Sequence, residues 1–283
     1  MDMWLLGTGG GIYQSPNGWD WMRISEYDYR ITALVVDDLG LLASCGSGLW
    51  RVLPNNSVWV QLHDETLTEV MDIARISGDV GVVAASAYGV ATGYHTDDGV
   101  VRWRWHSDDL PVNARFTNAI VAETDKRWVI GTEAGVLVTE DGGEVWQWTN
   151  LVGIGIRNLK QIQGQWWACA DNGIWISDDG VFWKRAGKGL LDVAVFDVAV
   201  TKNGVVLGTE NGVWGGDGLT GWEKVGLHGQ VQAVDVHSEK TDLWVAGCLP
   251  GGVWVTDSAG KSWSYMPDLP GGVEVVLAPG GGV

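Results

Sequence analysis

The chain has 283 residues, which is enough for one large all-β domain or two small ones with a sizeable core. It contains 42 Gly and 19 Trp against 3 Phe, a composition typical of short strands joined by tight turns and packed by one preferred large aromatic. A formal net charge of -17 repels phosphate backbones and anionic lipid surfaces, so we expect no nucleic-acid partner and no membrane insertion.

The N-terminus and the cysteines bear on compartment. The first residues, MDMWLLGTGGG, lack a cationic flank followed by an apolar core of signal-peptide length, so we expect no secretory signal. The three cysteines, Cys45, Cys169 and Cys248, form no CxxC pair. We interpret them as buried reduced thiols rather than disulfides or zinc ligands. These features are typical of a cytoplasmic protein, and a location in a viral or cell-surface assembly is the alternative.

A glycine followed by an apolar residue recurs along the whole chain and predicts the fold. The mean spacing of the copies is (252 − 11)/6, about 40 residues, a period typical of four-stranded propeller blades. Seven copies therefore predict a single all-β domain over residues 1–283, a seven-bladed β-propeller of four-stranded antiparallel blades. The turning glycines are Gly11, Gly48, Gly89, Gly135, Gly173, Gly212 and Gly252.

The sixth copy shows how one blade is built. VFDVAVTK alternates as an inner strand should, GVVLGTENG predicts the second strand, GVWGGD the third and GWEKV the outer fourth. The stretch GGVEVVLAPG, residues 271–280, has the inner-strand pattern with no blade after it. We predict that this C-terminal strand joins the N-terminal blade and closes the ring, which removes the open sheet edges.

The stretch TEDGGEVW, from Thr139 to Trp146, lies where a third strand must reverse into a fourth. We expect oxygens of Thr139 and Asp141 to accept hydrogen bonds from turn amides, and Trp146 to fill the gap between blades. These are structural roles at the turn. Looser copies are SPNGWDW, PNNSVW, TDDGVVRW, SDDGVFW, GGDGLTGW and TDSAGKSW.

These turns resemble the Asp-box, or BNR, repeat, whose usual form is Ser/Thr-x-Asp-x-Gly-x-x-Trp. Thr139 to Trp146 matches that form without a shift or replacement. Proteins with such repeats include sialidases, sortilin-type receptors, xyloglucan hydrolases and photosystem-assembly propellers. The resemblance implies the propeller fold along nearly the whole chain, and it leaves the function open because this fold hosts many functions.

Most tryptophans stand at repeated positions, which predicts that they belong to the core. Trp50, Trp175, Trp214 and Trp254, for example, each follow a turning glycine by two residues. Trp19, Trp105 and Trp148 lie outside the repeat, each two residues from a repeated tryptophan. Two rings on one face of a strand could form a platform for a sugar or peptide, or could add packing between blades.

Propellers commonly bind ligands at the end of the blades that carries the fourth-to-first connections and the second-to-third turns. Here this rim holds acids, histidines and aromatics, which favours a cationic peptide, a divalent ion or a sugar as ligand. A structural Ca²⁺ at Asp64, Asp108 or Asp109 stays open, although no EF-hand spacing supports it, and no cofactor is expected. The candidate binding residues are Tyr27, Asp28, Tyr29, Arg30, His63, Asp64, Glu65, Trp105, His106, Asp108, Asp109, Arg115, Glu133, Trp148, Asp171 and Glu210.

Two function classes follow from this rim. The first is a non-catalytic scaffold that recognises a protein or glycan, either alone or as part of a larger assembly. The second is a carbohydrate-active enzyme, a glycosidase or lyase acting in a central pocket with paired carboxylates. YRIT, Tyr29 to Thr32, is similar to the Phe/Tyr-Arg-Ile-Pro motif of sialidases, with Thr in place of Pro, and Arg30, Arg115 and Arg157 each begin an inner strand. We expect no catalytic residue and favour the scaffold.

Overall fold

The computed structural model describes residues 2–37, 39–53, 58–78, 80–269 and 272–280. Its strands form seven four-stranded antiparallel sheets, which confirms the predicted seven-bladed β-propeller. Within the described residues the one helical element is a short 3₁₀ turn, Val112–Ala114. The described chain contains no helix long and apolar enough to cross a membrane.

The first four blades contain the strands up to residue 152. They are β1 (Trp4–Thr8), β2 (Gly11–Ser15) and β3 (Met22–Arg23) in blade 1; β4 (Ile31–Asp37), β5 (Gly40–Cys45), β6 (Gly48–Val52) and β7 (Trp59–Gln61) in blade 2; β8 (Val70–Arg75), β9 (Val82–Ser86), β10 (Gly89–His95) and β11 (Val101–Trp105) in blade 3; and β12 (Thr117–Ala122), β13 (Trp128–Thr132), β14 (Gly135–Thr139) and β15 (Gln147–Val152) in blade 4.

The remaining strands complete the fold. They are β16 (Ile156–Ile162), β17 (Gln165–Ala170), β18 (Gly173–Ser177) and β19 (Lys184–Arg185) in blade 5; β20 (Val195–Thr201), β21 (Gly204–Thr209), β22 (Gly212–Gly216) and β23 (Trp222–Lys224) in blade 6; β24 (Val231–Val236), β25 (Trp244–Cys248), β26 (Gly252–Thr256) and β27 (Ser264–Met266) in blade 7; and β28 (Val273–Leu277), which returns to blade 1.

The C-terminal strand completes the N-terminal blade, as predicted. β28 runs antiparallel to β1, with Leu5 opposite Leu277 and Leu6 opposite Val276. Val273 and Val276 are buried, so the strand contributes core surface as well as hydrogen bonds. Of the stretch predicted as this strand, Gly271 lies outside the described residues.

Two compact units make up the chain. The first contains Met1–Ile31, Asp171–Ile174 and Arg185–Val283, and it holds blades 1, 6 and 7. The second contains Thr32–Ala170 and Trp175–Lys184, and it holds blades 2, 3 and 4 with most of blade 5. In each unit, apolar side chains of neighbouring blades pack into common clusters, which is how a blade buries both faces of its sheet.

The repeated sequence pattern has a direct structural cause. Second strands such as β1, β9 and β13 are buried at every position, which explains their continuous apolar runs. The third strands begin at the turning glycines, and Gly135 shows why: its φ is 132°, and an added Cβ would lie 2.3 Å from the Leu151 carbonyl oxygen. An L side chain does not fit there.

The turn from Thr139 to Trp146 has the hydrogen bonds expected from its sequence. The Thr139 hydroxyl donates to Asp141 Oδ1 at 2.8 Å and accepts from the Gly143 amide at 3.0 Å. Asp141 Oδ1 also accepts from the amides of Glu144 and Val145 at 3.1 and 3.0 Å. The Val145 amide and then the Thr139 hydroxyl hold the pKa of Asp141 below its usual value.

Tryptophan burial agrees with the predicted core in part. The second-strand residues Trp4, Trp128 and Trp166 are almost fully buried. The tryptophans that follow the turning glycines are half-buried, and Trp175 and Trp254 pack against clusters between blades, so these positions lie at the edge of the core. They stand on the third strand, where the short fourth strand covers them incompletely; Trp214, for example, lies opposite Lys224, whose ammonium is 5.5 Å from its ring centroid.

Two acids on the inner strands, the half-buried Asp72 and the buried Asp197, link neighbouring blades, a feature that the sequence pattern did not predict. Asp72 Oδ2 accepts a hydrogen bond from the Ile120 amide at 2.9 Å in the second unit. Asp197 Oδ2 accepts one from the Val234 amide at 3.0 Å in the first unit. Each of these carboxylates accepts a hydrogen bond from a backbone amide of the next inner strand, and we assign them a structural role.

The cysteines agree with the sequence interpretation. Cys45, Cys169 and Cys248 are all buried, and none of the three forms a disulfide. Burial raises the pKa of the Cys248 thiol to about 11, so this sulfur stays protonated and unreactive at neutral pH.

Candidate functional site

Strand direction decides which loops share an end of the blades. Because the four strands of a blade alternate, the second-to-third turn and the connection leaving the fourth strand lie at one end, which we call the rim. The Asp-box-like turns lie at the other end. In the second unit the rim carries the connections between β7 and β8, residues 62–69, and between β11 and β12, residues 106–116.

The connection 62–69 brings three predicted site residues to one cleft. His63, Asp64 and Glu65 line a space of about 500 Å³, a volume that suits a small ligand. Ser47, Gln61, Thr68 and residues 99–102, which were not predicted, line it too, so the cleft extends from the rim connection to the turn before β11. His63 is held in place, because its Nδ1 lies 2.8 Å from the Leu49 carbonyl oxygen and its ring packs edge-on against Trp50.

Asp64 is a buried part of the scaffold. Its Oδ1 accepts hydrogen bonds from the Thr66 amide at 2.9 Å and hydroxyl at 2.6 Å, and its Oδ2 accepts one from the Trp103 amide at 3.3 Å. Burial by itself raises the pKa of Asp64, but the Thr66 and Trp103 hydrogen bonds outweigh it, so the pKa lies below its usual value. Both oxygens are therefore occupied by protein donors.

His106 opens the second connection and is also buried. Its Nε2 lies 2.8 Å from the Thr92 hydroxyl, and its ring packs edge-on against Trp128. Its backbone carbonyl accepts the Trp146 indole N–H at 2.9 Å. Burial, and next the nearby Arg104 guanidinium, lower the pKa of His106 below 6.5, while Glu144 opposes them. This neutral imidazole contributes to packing.

The rest of the connection 106–116 alternates between buried and exposed side chains. Leu110 and Ala114 are 2% and 0% exposed and anchor it in the core. Between and beyond them, Val112 is 82% and Phe116 42% exposed. The connection therefore leaves two large apolar side chains exposed while Leu110 and Ala114 hold it in the core.

A neighbouring turn and three charged residues complete this surface. Tyr88, 58% exposed, lies in the turn between β9 and β10, and this turn packs on the connection because the Ser107 hydroxyl accepts a hydrogen bond from the Val90 amide at 3.3 Å. Asp108, Asp109 and Arg115 are exposed on the connection itself. We call this surface the rim platform: Tyr88, Asp108, Asp109, Val112, Arg115 and Phe116.

Three further candidates of the second unit are already engaged. Trp105 and Trp148 are half-buried and pack against the interblade clusters, as in the packing alternative. Glu133 Oε1 accepts hydrogen bonds from Arg157 at 2.8 Å and from Asn118 Nδ2 at 2.9 Å. Its main-chain amide donates to the Phe116 carbonyl at 3.2 Å, which places Glu133 beside the platform.

The candidates of the first unit form a separate group. Tyr27 and Tyr29 stack with ring centroids 5.2 Å apart, and Asp28 forms an ion pair with Arg23. Arg30 pairs with Glu274 Oε1 at 3.0 Å. Asp171 and Glu210 are exposed, the former just before β18 and the latter between β21 and β22.

The first unit has a cleft of its own, of about 460 Å³, which was not predicted. Trp19, Asn17 and Leu243 line it together with the charged residues Glu239, Lys240, Asp242 and Asp257. Trp19 also packs against the cluster between blades 7 and 1. Across the described residues, no group of three or more His, Cys, Asp or Glu side chains is arranged to hold a metal ion.

The platform's apolar residues were missed because the loops were interpreted by their charges. The sequence did contain a signal: Val112 and Phe116 follow Pro111 in a connection that also carries two aspartates and an arginine. Exposure of those residues, however, depends on which alternate positions the connection buries, and tertiary packing alone decides that.

Comparison with known proteins identifies the fold and nothing finer. No protein family matches the sequence, and no curated protein does. No match therefore identifies the Asp-box family, and that resemblance stays a prediction.

Several solved structures are similar. YCF48 bound to D1 peptide is 14% identical, with a TM-score of 0.64 over 89% of this chain and 85% of that chain. A GH74 enzyme from Niastella koreensis is 14% identical, with a TM-score of 0.62 over 95% of this chain. The extracellular domain of BT4673 from B. thetaiotaomicron, described as a hybrid two component system, is 13% identical, with a TM-score of 0.71 over 90%. The chain spans 47% and 36% of the last two.

Proposed function

We propose that this chain is a non-catalytic scaffold that binds a protein partner through the rim platform of its second unit. The observation that carries the proposal is the exposure of Tyr88, Val112 and Phe116 on two adjoining loops, one of which is anchored in the core by Leu110 and Ala114. Rigid loops on a propeller lose little entropy on binding. The similar structure of YCF48 with a bound peptide supports protein binding as a use of this fold.

Asp64, one of the two acids that line the cleft at residues 62–69, lacks the properties of a glycosidase acid. A glycosidase needs one carboxyl group with a raised pKa to protonate the leaving group and a second carboxylate opposite it. Asp64 has a lowered pKa and occupied oxygens, so it cannot fill the first role at neutral pH. A site for an anionic sugar needs convergent cations, and two of the three arginines predicted to begin inner strands, Arg30 and Arg157, are paired with glutamates.

The test is affinity capture with the purified chain as bait, run beside a glycan array and a panel of fluorogenic glycosides. We expect a stoichiometric, saturable protein complex and no turnover. Asp108→Asn/Asp109→Asn is the matched variant, because both side chains are exposed, and Asp97→Asn, exposed on the opposite turn, is its control. Glycoside turnover without a saturable protein complex would overturn the proposal, and a saturable glycan signal alone would replace the protein with a glycan.

A further inference from the structure

We infer that the segment bound by the rim platform presents apolar side chains between Lys or Arg residues; this inference rests on the proposed function and names the chemistry of its partner. The apolar part follows from Val112 and Phe116, which project from the connection while Leu110 and Ala114 hold it. Covering such side chains removes apolar surface from water, which is the main source of affinity at interface centres.

The charge of the partner follows from the acids around these side chains. Within the described part of the chain, the carboxylates of Asp108 and Asp109 have no hydrogen bond or ion pair with another residue. Glu69 adds an exposed third carboxylate beside Tyr88, because its carbonyl accepts the Ala87 amide at 3.1 Å. Arg115 is the single cation of the platform. Carboxylates around an apolar centre complement a cationic partner.

A second copy of this chain is a poorer occupant. Each copy has a net charge of -17, so two copies repel each other, and two identical acidic platforms would place like charges together. A cationic segment of another protein is instead attracted to these acids, and this attraction speeds its association by electrostatic steering. The observations therefore favour a basic, apolar segment of another protein.

The first experiment uses a displayed library of random peptides of about twelve residues, selected on the full chain and counter-selected on Val112→Ser/Phe116→Ser. We expect the enriched peptides to contain Lys or Arg flanking large apolar residues. Enrichment of acidic or uncharged peptides would overturn the inference, and so would a counter-selection that no enriched peptide survives.

The second experiment measures the affinity of an enriched peptide for matched variants. Val112→Ser/Phe116→Ser should weaken binding by about tenfold or more, because it removes the apolar centre. Phe182→Ser is the control: Phe182 is 72% exposed in the same unit but on an Asp-box-like turn, and its loss should change the affinity by less than about twofold. An unchanged melting temperature of each variant shows that the fold is intact.

Charge is tested separately from shape. Asp108→Asn/Asp109→Asn should weaken binding of the peptide, and the affinity of this variant should fall less between about 0.05 and about 0.5 M NaCl than that of the original chain. Asp97→Asn should change neither the affinity nor its salt dependence. An unchanged salt dependence would overturn the electrostatic part of the inference.

The outcomes separate the two levels of the argument. Peptides that bind Val112→Ser/Phe116→Ser as well as they bind the original chain would refute this inference, and protein capture would still test the scaffold function. Self-association of the chain that the same double variant abolishes would identify a second copy as the occupant. That result would refute the inference too.

Discussion

The two ends of the blades in the second unit use polar residues in opposite ways. In the turn from Thr139 to Trp146, side-chain oxygens bond to amides of the same turn, and the indole of Trp146 is buried. At the rim platform, charged side chains face solvent around exposed apolar residues. Repetition in the sequence marks the first region, and the second has no counterpart in the repeat.

This difference shows how to separate structure from function in a repeat protein. A motif present in every blade serves what every blade needs, which is a tight reversal and a filled gap between sheets. Residues found in one blade alone are free to serve a ligand. The following predictions test whether burial follows the repeat, beginning with the largest expected effect.

Removal of residues 272–283 should have the largest effect on stability. The deletion takes away β28, whose Val273 and Val276 are buried against the first unit, and exposes the edge of β1. We expect the melting temperature, followed by circular dichroism, to fall by more than about 10 °C. Glu274→Gln on the same strand is the control and should shift it little, because its partner Arg30 is mostly exposed. An unchanged transition after the deletion would contradict the pairing.

Asp64→Ala should cost more stability than any single change on the rim platform. It leaves the buried Trp103 amide without its acceptor and removes the two hydrogen bonds that Thr66 makes to the carboxylate, a loss of about 2–3 kcal/mol in the free energy of unfolding. Asp108→Ala removes an exposed aspartate from the next connection and should change the free energy of unfolding by less than about 0.5 kcal/mol. Urea unfolding measures both, and equal losses would mean that the rim does not divide into scaffold and surface.

Thr139→Val tests the structural role of the Asp-box-like turn. Valine keeps the shape but removes the hydroxyl that bonds to Asp141 and to the Gly143 amide. We expect the free energy of unfolding to fall by about 1–2 kcal/mol in urea titrations. Val145→Ala, in the same turn but 50% exposed, is the control and should cost less than about 0.5 kcal/mol. Binding of a platform peptide should be unchanged by both, since the turn lies at the opposite end.

The sequence predicted the fold better than the candidate site because each rests on a different kind of information. The period of about 40 residues and the turning glycines depend on local geometry repeated seven times, so chance agreement is small. The site depends on which loop residues are buried. Asp64 and His106 looked like ligands, yet both are buried and hydrogen-bonded, whereas Val112 looked unremarkable and is 82% exposed. No local pattern distinguishes these cases.

Acid should lower the free energy of unfolding through His106, and we expect this change in stability to be the smallest. Its pKa is lowered from 6.5 by burial and then by Arg104, so in the folded state it stays neutral where an unfolded histidine takes up a proton. The unfolded state then binds more protons, and stability falls as the pH drops below about 6.5 toward the folded pKa. Urea unfolding at about pH 7.5, 6.5 and 5.5 should show this loss in the original chain and a smaller one in His106→Gln. His228→Gln, which removes an exposed histidine, should leave the loss intact. If His106→Gln loses as much stability in acid as the original chain, His106 accepts its proton inside the fold, and the division of the rim into buried scaffold and exposed surface fails at this residue.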